Sequence, residues 1–265
     1  MYVNKKQSEI NISPQIVLHY NMYSIAYFDI ETTGFDKEND SIILISLGYY
    51  KKGNIFTVKQ YFGEKVEEEK DVLESFINDL KGFKIWCSYN GKAFDEPFIR
   101  YRMQKYKINF KLPDEHIDLY RMIKPYKGQL NLERCNLKSV EKYAGIVRKD
   151  TIDGGISVEL YKKYLKNRDE KLRKKIMLHN FEDVFNLPNI FQIVWKIENE
   201  SDFIREDHIT DKQLSYLNHL LSKGGITIDM ELEKISKKSA SKVISALLNG
   251  KTDSDELKEI IEKYC

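Results

Sequence analysis

The chain has 265 residues, 42% hydrophobic and 12% aromatic, with a formal net charge of +2. That composition supports a sizeable core and excludes global disorder, while the near-neutral total neither demands nor excludes a nucleic-acid partner, because a basic surface can hide in a balanced sum. Three widely spaced cysteines, Cys87, Cys135 and Cys265, form no CxxC pair, which argues against a zinc ribbon or a disulfide framework. No run approaches the roughly 20 apolar residues of a membrane span, and "MYVNKKQSEINISPQ" has no apolar stretch behind its lysines, unlike a signal peptide. A soluble protein of the reducing cytoplasm is the expectation.

Residues 1–22 read as an N-terminal extension. Strands are expected at "SIAYFDI", "IILISLGYY" and "IFTVKQYF", the last two joined by a turn at Lys51, Lys52, Gly53 and Asn54. Val72, Leu73, Phe76, Ile77 and Leu80 then recur at helical spacing, with acids before them and Gly82 after. "KIWCSYN" is a short buried strand, and "EPFIRYRMQKY" a helix that tolerates Pro97 in its first turn. "EHIDLYRMIKPY" reads as a strand or turn entering a helix that stops near Pro125. The second half is more helical: "NLKSVEKYAG" ending at Gly145, then "VELYKKYLKN", then a long pattern from Asp169 that Pro188 should break. Strands first and helices later, with an early hairpin, predict a mixed sheet flanked by helices, an α/β fold. The polar stretch 198–210 reads as a linker. Residues 211–265 hold helical patterns ended by glycine, a small all-helical module at the marginal end of independent stability.

Asp29 and Glu31 interrupt the first strand two residues apart, so both point to one face. Two ionised carboxylates side by side repel, and burying each costs several kcal/mol, so protonation, a basic partner or a metal ion must offset them. Oxygen ligands at this spacing suit Mg²⁺ or Mn²⁺; a solvated strand end is the plain alternative. Asp95, after Phe94 in "SYNGKAFDEPFI", sits where a helix begins and would also serve as a cap. His179 and Asp183 are four apart on a helix and share a face; a lysine partner for Asp183 and an incidental His179 would explain them equally.

In combination and in this order, D-x-E on a strand, N-x3-F-D, and H-x3-D on a late helix resemble the DEDD superfamily of RNase H-like 3'–5' exonucleases. The set is also similar to the exonuclease domain of family B DNA polymerases. The likeness spans about residues 23–197, including "HIDLYR" with Asp118 and "LKSVEKYAGIVRKDTIDG" before the last helix. It implies an RNase H-like domain over 23–197 with two Mg²⁺ or Mn²⁺ ions held by Asp29, Glu31, Asp95 and Asp183. In such enzymes the ion pair clamps an in-line displacement at phosphorus. Asp29 would bridge both ions, Glu31 and Asp183 would hold the nucleophile's metal, and Asp95 the other. His179 stands where the nearest relatives have tyrosine and one place from where the histidine branch has histidine. It is expected to be catalytic, as a general base or water-orienting group.

Around these, Asn90 and Thr32 are substrate-contact candidates at the site mouth, Phe94 a stacking surface for a terminal base, and Arg148, with Asp150 and Asp153, a phosphate contact. Each has a structural alternative: turn, core or ion pair. Asp118 reads as a helix cap or a support for the metal shell. Two clusters, "YKKYLKNRDEKLRKK" and "RYRMQKYK", mix cations and aromatics as single-strand binders do, and as solvated helix faces also do. The expected activity is removal of nucleotides from single-stranded 3' ends, DNA before RNA. A catalytically weak nucleic-acid-binding or partner-recruiting domain and a structure-specific endonuclease are the alternatives. Lys234, Lys237, Lys238 and Lys242 mark the C-terminal module as a candidate DNA or protein contact.

Overall fold

The computed structural model describes residues 1–51, 53–152 and 154–264; Lys52, Asp153 and Cys265, which the sequence reading used as a turn residue, a loop acid and a cysteine, lie outside the described residues. The strands are β1 (Tyr2–Glu9), β2 (Ile25–Thr32), β3 (Ile42–Tyr50), β4 (Ile55–Phe62), β5 (Ile85–Ser88) and β6 (Glu115–Asp118). Among the described residues they form one sheet in the order β1-β4-β3-β2-β5-β6. The β1–β4, β4–β3 and β3–β2 pairs are antiparallel, and β2–β5 and β5–β6 are parallel. The helices are α1 (Pro14–His19), α2 (Glu69–Leu80), α3 (Asp95–Lys105), α4 (Leu119–Ile123), α5 (Leu137–Tyr143), α6 (Gly154–Asn167), α7 (Glu170–Phe185), α8 (Leu187–Asn199), α9 (Asp211–Gly224), α10 (Lys237–Leu248) and α11 (Ser254–Tyr264). This is the expected mixed α/β sheet with flanking and C-terminal helices. No helix among the described residues is long and apolar enough to cross a membrane.

The pleat sorts β2. Ala26, Phe28 and Ile30 join the core that also holds Val72, Phe76, Trp86 and Phe98, with Phe28 stacked on Trp86 at 4.2 Å between ring centroids. Tyr27, Asp29 and Glu31 alternate with them and so face the opposite side. There α7 crosses the sheet; its Ile176 and Met177 pack with Ile43, Leu44 and Phe62. Tyr161 and Tyr164 of α6 join that second core and are buried. The aromatic half of the basic cluster at 161–175 therefore faces inward. In the cluster at 100–107, Arg102 is likewise buried, in an ion pair with Glu69.

Residues 1–22 are not a mere extension. Their first nine residues supply β1, whose side chains are almost all exposed. It is an edge strand paired only to β4, so no hydrophobic alternation marks it, and its lysines suit an edge. The long helical pattern breaks at Asn186, and Pro188 falls in the first turn of α8, where its missing N–H leaves no helical bond unmet.

The chain divides into two compact units: 1–123 with 132–199, and 124–131 with 200–265. The smaller therefore includes a loop from the middle of the chain. Within it Glu206 accepts from the Gly128 amide at 2.6 Å, and Ile209, Leu217, Val243, Leu257 and Ile261 make a small core. Thr210 and Gln213 form a reciprocal capping box at the start of α9, and Gly225 ends it at φ +63°. Lys238, Lys242 and Lys263 gather over the Tyr264 ring.

Helix α2 is tied to β4 by Asp79, which accepts from the Lys59 ammonium and the Tyr61 hydroxyl. Burial opposes ionisation there, but these bonds win and hold the carboxyl below its usual range. A group lowered on folding contributes stability above its unfolded pKa of about 3.9 and loses it as pH falls through the lower folded value. Asp79→Asn should lower the melting temperature at pH 7, and the gap to wild type should close below about pH 4; a gap that persists at pH 2 would show the ion pair to be irrelevant.

Candidate metal centre

The site lies where the sheet changes from antiparallel to parallel, beyond the carboxyl ends of β2, β5 and β6. That is the usual crevice of open α/β sheets. Strand β2 outruns its neighbour: its parallel register with β5 stops at Tyr27 opposite Cys87. The Ile30 amide thus has no strand to pair with, and Asp95 Oδ1 accepts from it at 3.1 Å. The first residue of α3 is thereby clamped beside the strand that carries Asp29 and Glu31. A register shift between Glu31 and Thr32 ends the regular pairing just past them.

The fourth acid comes from α7. Asn180, one turn before it, is fully buried and donates to Asp29 Oδ2 at 2.7 Å. Its own carbonyl oxygen accepts from Ser46, the residue opposite Asp29 on β3. Gln60 donates to Ser46 Oγ at 3.1 Å and to the Met177 carbonyl at 2.9 Å. This chain of bonds fixes the rotation of α7, so His179 and Asp183 face the strand. His179 Nε2 is 3.9 Å from Glu31 Oε1 and 3.4 Å from Asp183 Oδ2. One ligand atom from each of Glu31, His179 and Asp183 lies within 4.8 Å of the other two.

Electrostatics bind all four acids into one centre. Burial, then repulsion from Asp95, Asp183 and Glu31, pushes Asp29 well above the carboxylate range, against the Asn180 bond. Burial, then Asp183, does the same to Glu31. Asp95 is pushed up to about 7 by burial, with Asp118 and Asp183 adding to it against two backbone N–H bonds. Clustered acids with a ring nitrogen among them are a donor set that suits a divalent cation, which would relieve that repulsion.

Arg148, the expected phosphate contact, points inward instead. Nη1 lies 2.6 Å from Asp183 Oδ1 and 3.0 Å from Glu141 Oε2, and Nη2 lies 3.3 Å from Asp150 Oδ2 and 3.1 Å from the His179 carbonyl. Glu182 accepts from the Lys149 and Asp150 amides at 3.0 and 2.8 Å, holding the loop that delivers Arg148. Thr32 is also buried, and its hydroxyl donates to the Gly34 carbonyl at 2.5 Å. Neither side chain is presented to a substrate. Asn90 is exposed, at φ +66°. It lines an open cleft of about 430 Å³ with Tyr89, Tyr120, Cys135, Asn136 and Leu137. Asp118 shapes that turn: it accepts from the Asn90, Lys92 and Tyr120 amides at 2.7, 3.1 and 3.2 Å. Phe94 is half-buried against Phe98 and lies 6.1 Å, ring to ring, from Phe35, which is 81% exposed.

Sequence reasoning missed Asn180, Ser46, Glu141, Glu182 and Phe35. Asn180 and Glu182 had a signal, polar residues flanking His179 and Asp183 on a helix with apolar residues on several sides; Ser46 and Glu141 had none. Arg148→Gln leaves buried acids without their counter-charge and should destabilise the fold by about 3–5 kcal/mol in urea unfolding. A loss below about 1 kcal/mol would mean that the guanidinium neutralises little.

A family model described as the RNase H superfamily matches residues 26–195. The uncharacterized protein YprB of Bacillus subtilis is 30% identical over 195 residues, 71% of this chain and 46% of its own length. A DNA polymerase of Methanocaldococcus jannaschii is 28% identical over 173 residues, 53% of this chain and 10% of the polymerase. The PolC-type DNA polymerase III of Clostridium perfringens is 25% identical over 274 residues, 89% of this chain and 18% of its own. The family B DNA polymerase structure from Pyrobaculum calidifontis aligns over 85% of this chain and 29% of its own at a TM-score of 0.49 and 17% identity. The chain spans less than half the length of each of these relatives.

Proposed function

The chain belongs to the RNase H superfamily, and from that premise we propose that it is a metal-dependent 3'–5' exonuclease acting on single-stranded nucleic acid, DNA before RNA. The supporting observation is the meeting of Asp29, Glu31, Asp95 and Asp183, drawn from three distant stretches, where burial and neighbouring charge push Asp29, Glu31 and Asp95 upward. Packing alone has no use for such a group, since apolar residues of similar size would be as stable or more so. Similarity to DNA polymerases favours DNA as the substrate.

Two Mg²⁺ or Mn²⁺ ions would supply charge stabilisation and an activated water for in-line displacement at phosphorus. Asp29, which feels the charge of all three other acids, is the residue both ions would share. Glu31 and Asp183, beside His179, would hold the nucleophile's side, and Asp95 the leaving group's side. Asn90 offers an amide at the cleft, and Phe94 with the exposed Phe35 offers rings on which a terminal base can stack. Thr32 and Arg148 act from within: one closes the turn after β2 and the other orients Asp183. The small helical unit, with its lysines around Tyr264, is a candidate second contact for DNA or a protein partner.

End-labelled single strands, duplexes and hairpins of DNA and RNA test this. The expected result with Mn²⁺ or Mg²⁺ is a ladder shortening stepwise from the 3' end, abolished by chelation. Asp29→Ala should lose all activity with an unchanged circular dichroism spectrum; retained cleavage would refute the metal assignment. Interior cuts at hairpin junctions would instead make it an endonuclease, and binding without cleavage a recruiting domain.

A further inference from the structure

Sequence alone reads His179 as a general base or water-orienting group, but the surroundings of its ring favour another role. His179 is 5% exposed, and its Nδ1 lies 2.7 Å from Asp150 Oδ2. Asp150 is itself fixed from several sides. Its Oδ1 accepts from the Ile152 amide at 2.9 Å, and its Oδ2 lies 3.3 Å from both Lys138 Nζ and Arg148 Nη2. A carboxylate so surrounded by donors stays ionised and can only accept. Asp150 thus takes the Nδ1–H tautomer of the ring, and Nε2 is the nitrogen that faces Glu31 and Asp183. Arg148 holds Asp183 by Oδ1, which leaves Oδ2 as the oxygen facing Nε2. Three acceptors thus look into one small space: Glu31 Oε1, Asp183 Oδ2 and Nε2.

We propose that His179 Nε2 is a direct ligand of a divalent cation shared with Glu31 and Asp183, and that Asp150 is the positioning residue that fixes the tautomer. The spacing allows it. Bonds of about 2.1 Å place neighbouring ligands about 3 Å apart and opposite ones about 4.2 Å apart. The observed 3.4 and 3.9 Å from Nε2 to its two carboxylate partners fall inside that range. A carboxylate donating its basicity through the ring to a metal is the common outer-shell arrangement for histidine ligands. An imidazole nitrogen also changes which metal is held: it suits Mn²⁺ and later first-row ions better than Mg²⁺, whose preference is for oxygen alone. The inference rests on the metal-dependent reading above and specifies one ligand of it.

Pulsed electron paramagnetic resonance on Mn²⁺ bound to the full chain decides it without turnover. The expected spectrum carries a ¹⁴N modulation that becomes a ¹⁵N one when the protein is grown on ¹⁵N-histidine. His179→Gln should remove the modulation and weaken Mn²⁺ binding by about tenfold or more. Asp150→Asn should keep the modulation with about tenfold weaker binding, the range for a lost outer-shell partner. The ratio of Mn²⁺ to Mg²⁺ affinity should fall in His179→Gln. Bound Mn²⁺ without nitrogen coupling in the wild-type protein would overturn His179 as a ligand and leave the nuclease reading intact. No Mn²⁺ binding by the wild-type chain would overturn both. Because the wild-type spectrum is decisive, a variant that fails to fold does not spare the proposal.

Discussion

Like charges held in one buried pocket repel, and the architecture of the larger unit works against that repulsion. Glu31, Asp95 and Asp183 each make ionisation harder for Asp29, and Asp183 does so for Glu31 and Asp95 as well. Left alone, the four would protonate or swing apart. They stay together because each is carried by an element anchored elsewhere: β2 in the middle of the sheet, α3 through Asp95 to the Ile30 amide, and α7 through Asn180 to β3. The apolar cores on both sheet faces offset what the acids cost.

Two devices outside the quartet make the arrangement tolerable. Asn180 supplies a neutral donor to Asp29 without adding charge. Arg148 supplies a full positive charge shared among Glu141, Asp150 and Asp183. One neutralises nothing and orients; the other neutralises and orients. Between them one oxygen of Asp183 is fixed from behind while the other faces the pocket, so the centre is already shaped before any ligand enters. Such preorganisation matters because electrostatic stabilisation is strongest when the groups need not move during the reaction.

Polar residues that looked like surface in one dimension became internal fixtures in three. Arg102 and Arg148 are the clearest cases: both sit in cationic or loop segments that invite a nucleic-acid reading, and both are buried in ion pairs. Burying a guanidinium requires several acceptors at once, and those acceptors come from sites far along the chain, as Glu69 does for Arg102. Nothing in local spacing announces them. Tyr161 and Tyr164 illustrate the complementary case, aromatic residues between lysines that face the sheet because their helix lies on it.

Hydrophobic alternation and helical spacing by themselves determined β2, β3, β4, β5 and α2, a helix break just before Pro188, and the placement of Asp29 and Glu31 on one side of a strand. Those features depend only on near neighbours, where the strand period of two and the helix period of 3.6 operate. The motif order likewise carried the family likeness and picked out Asp95, His179 and Asp183. Tertiary structure alone decided the rest. It made an unpatterned polar segment the edge strand β1, because β4 had a free side to pair with. It set the loop at 124–131 against residues 203–206 and turned Arg148 toward the acids. It also chose which nitrogen of His179 looks at Glu31 and Asp183, because that choice belongs to Asp150, a residue 29 positions away that only folding brings to the ring.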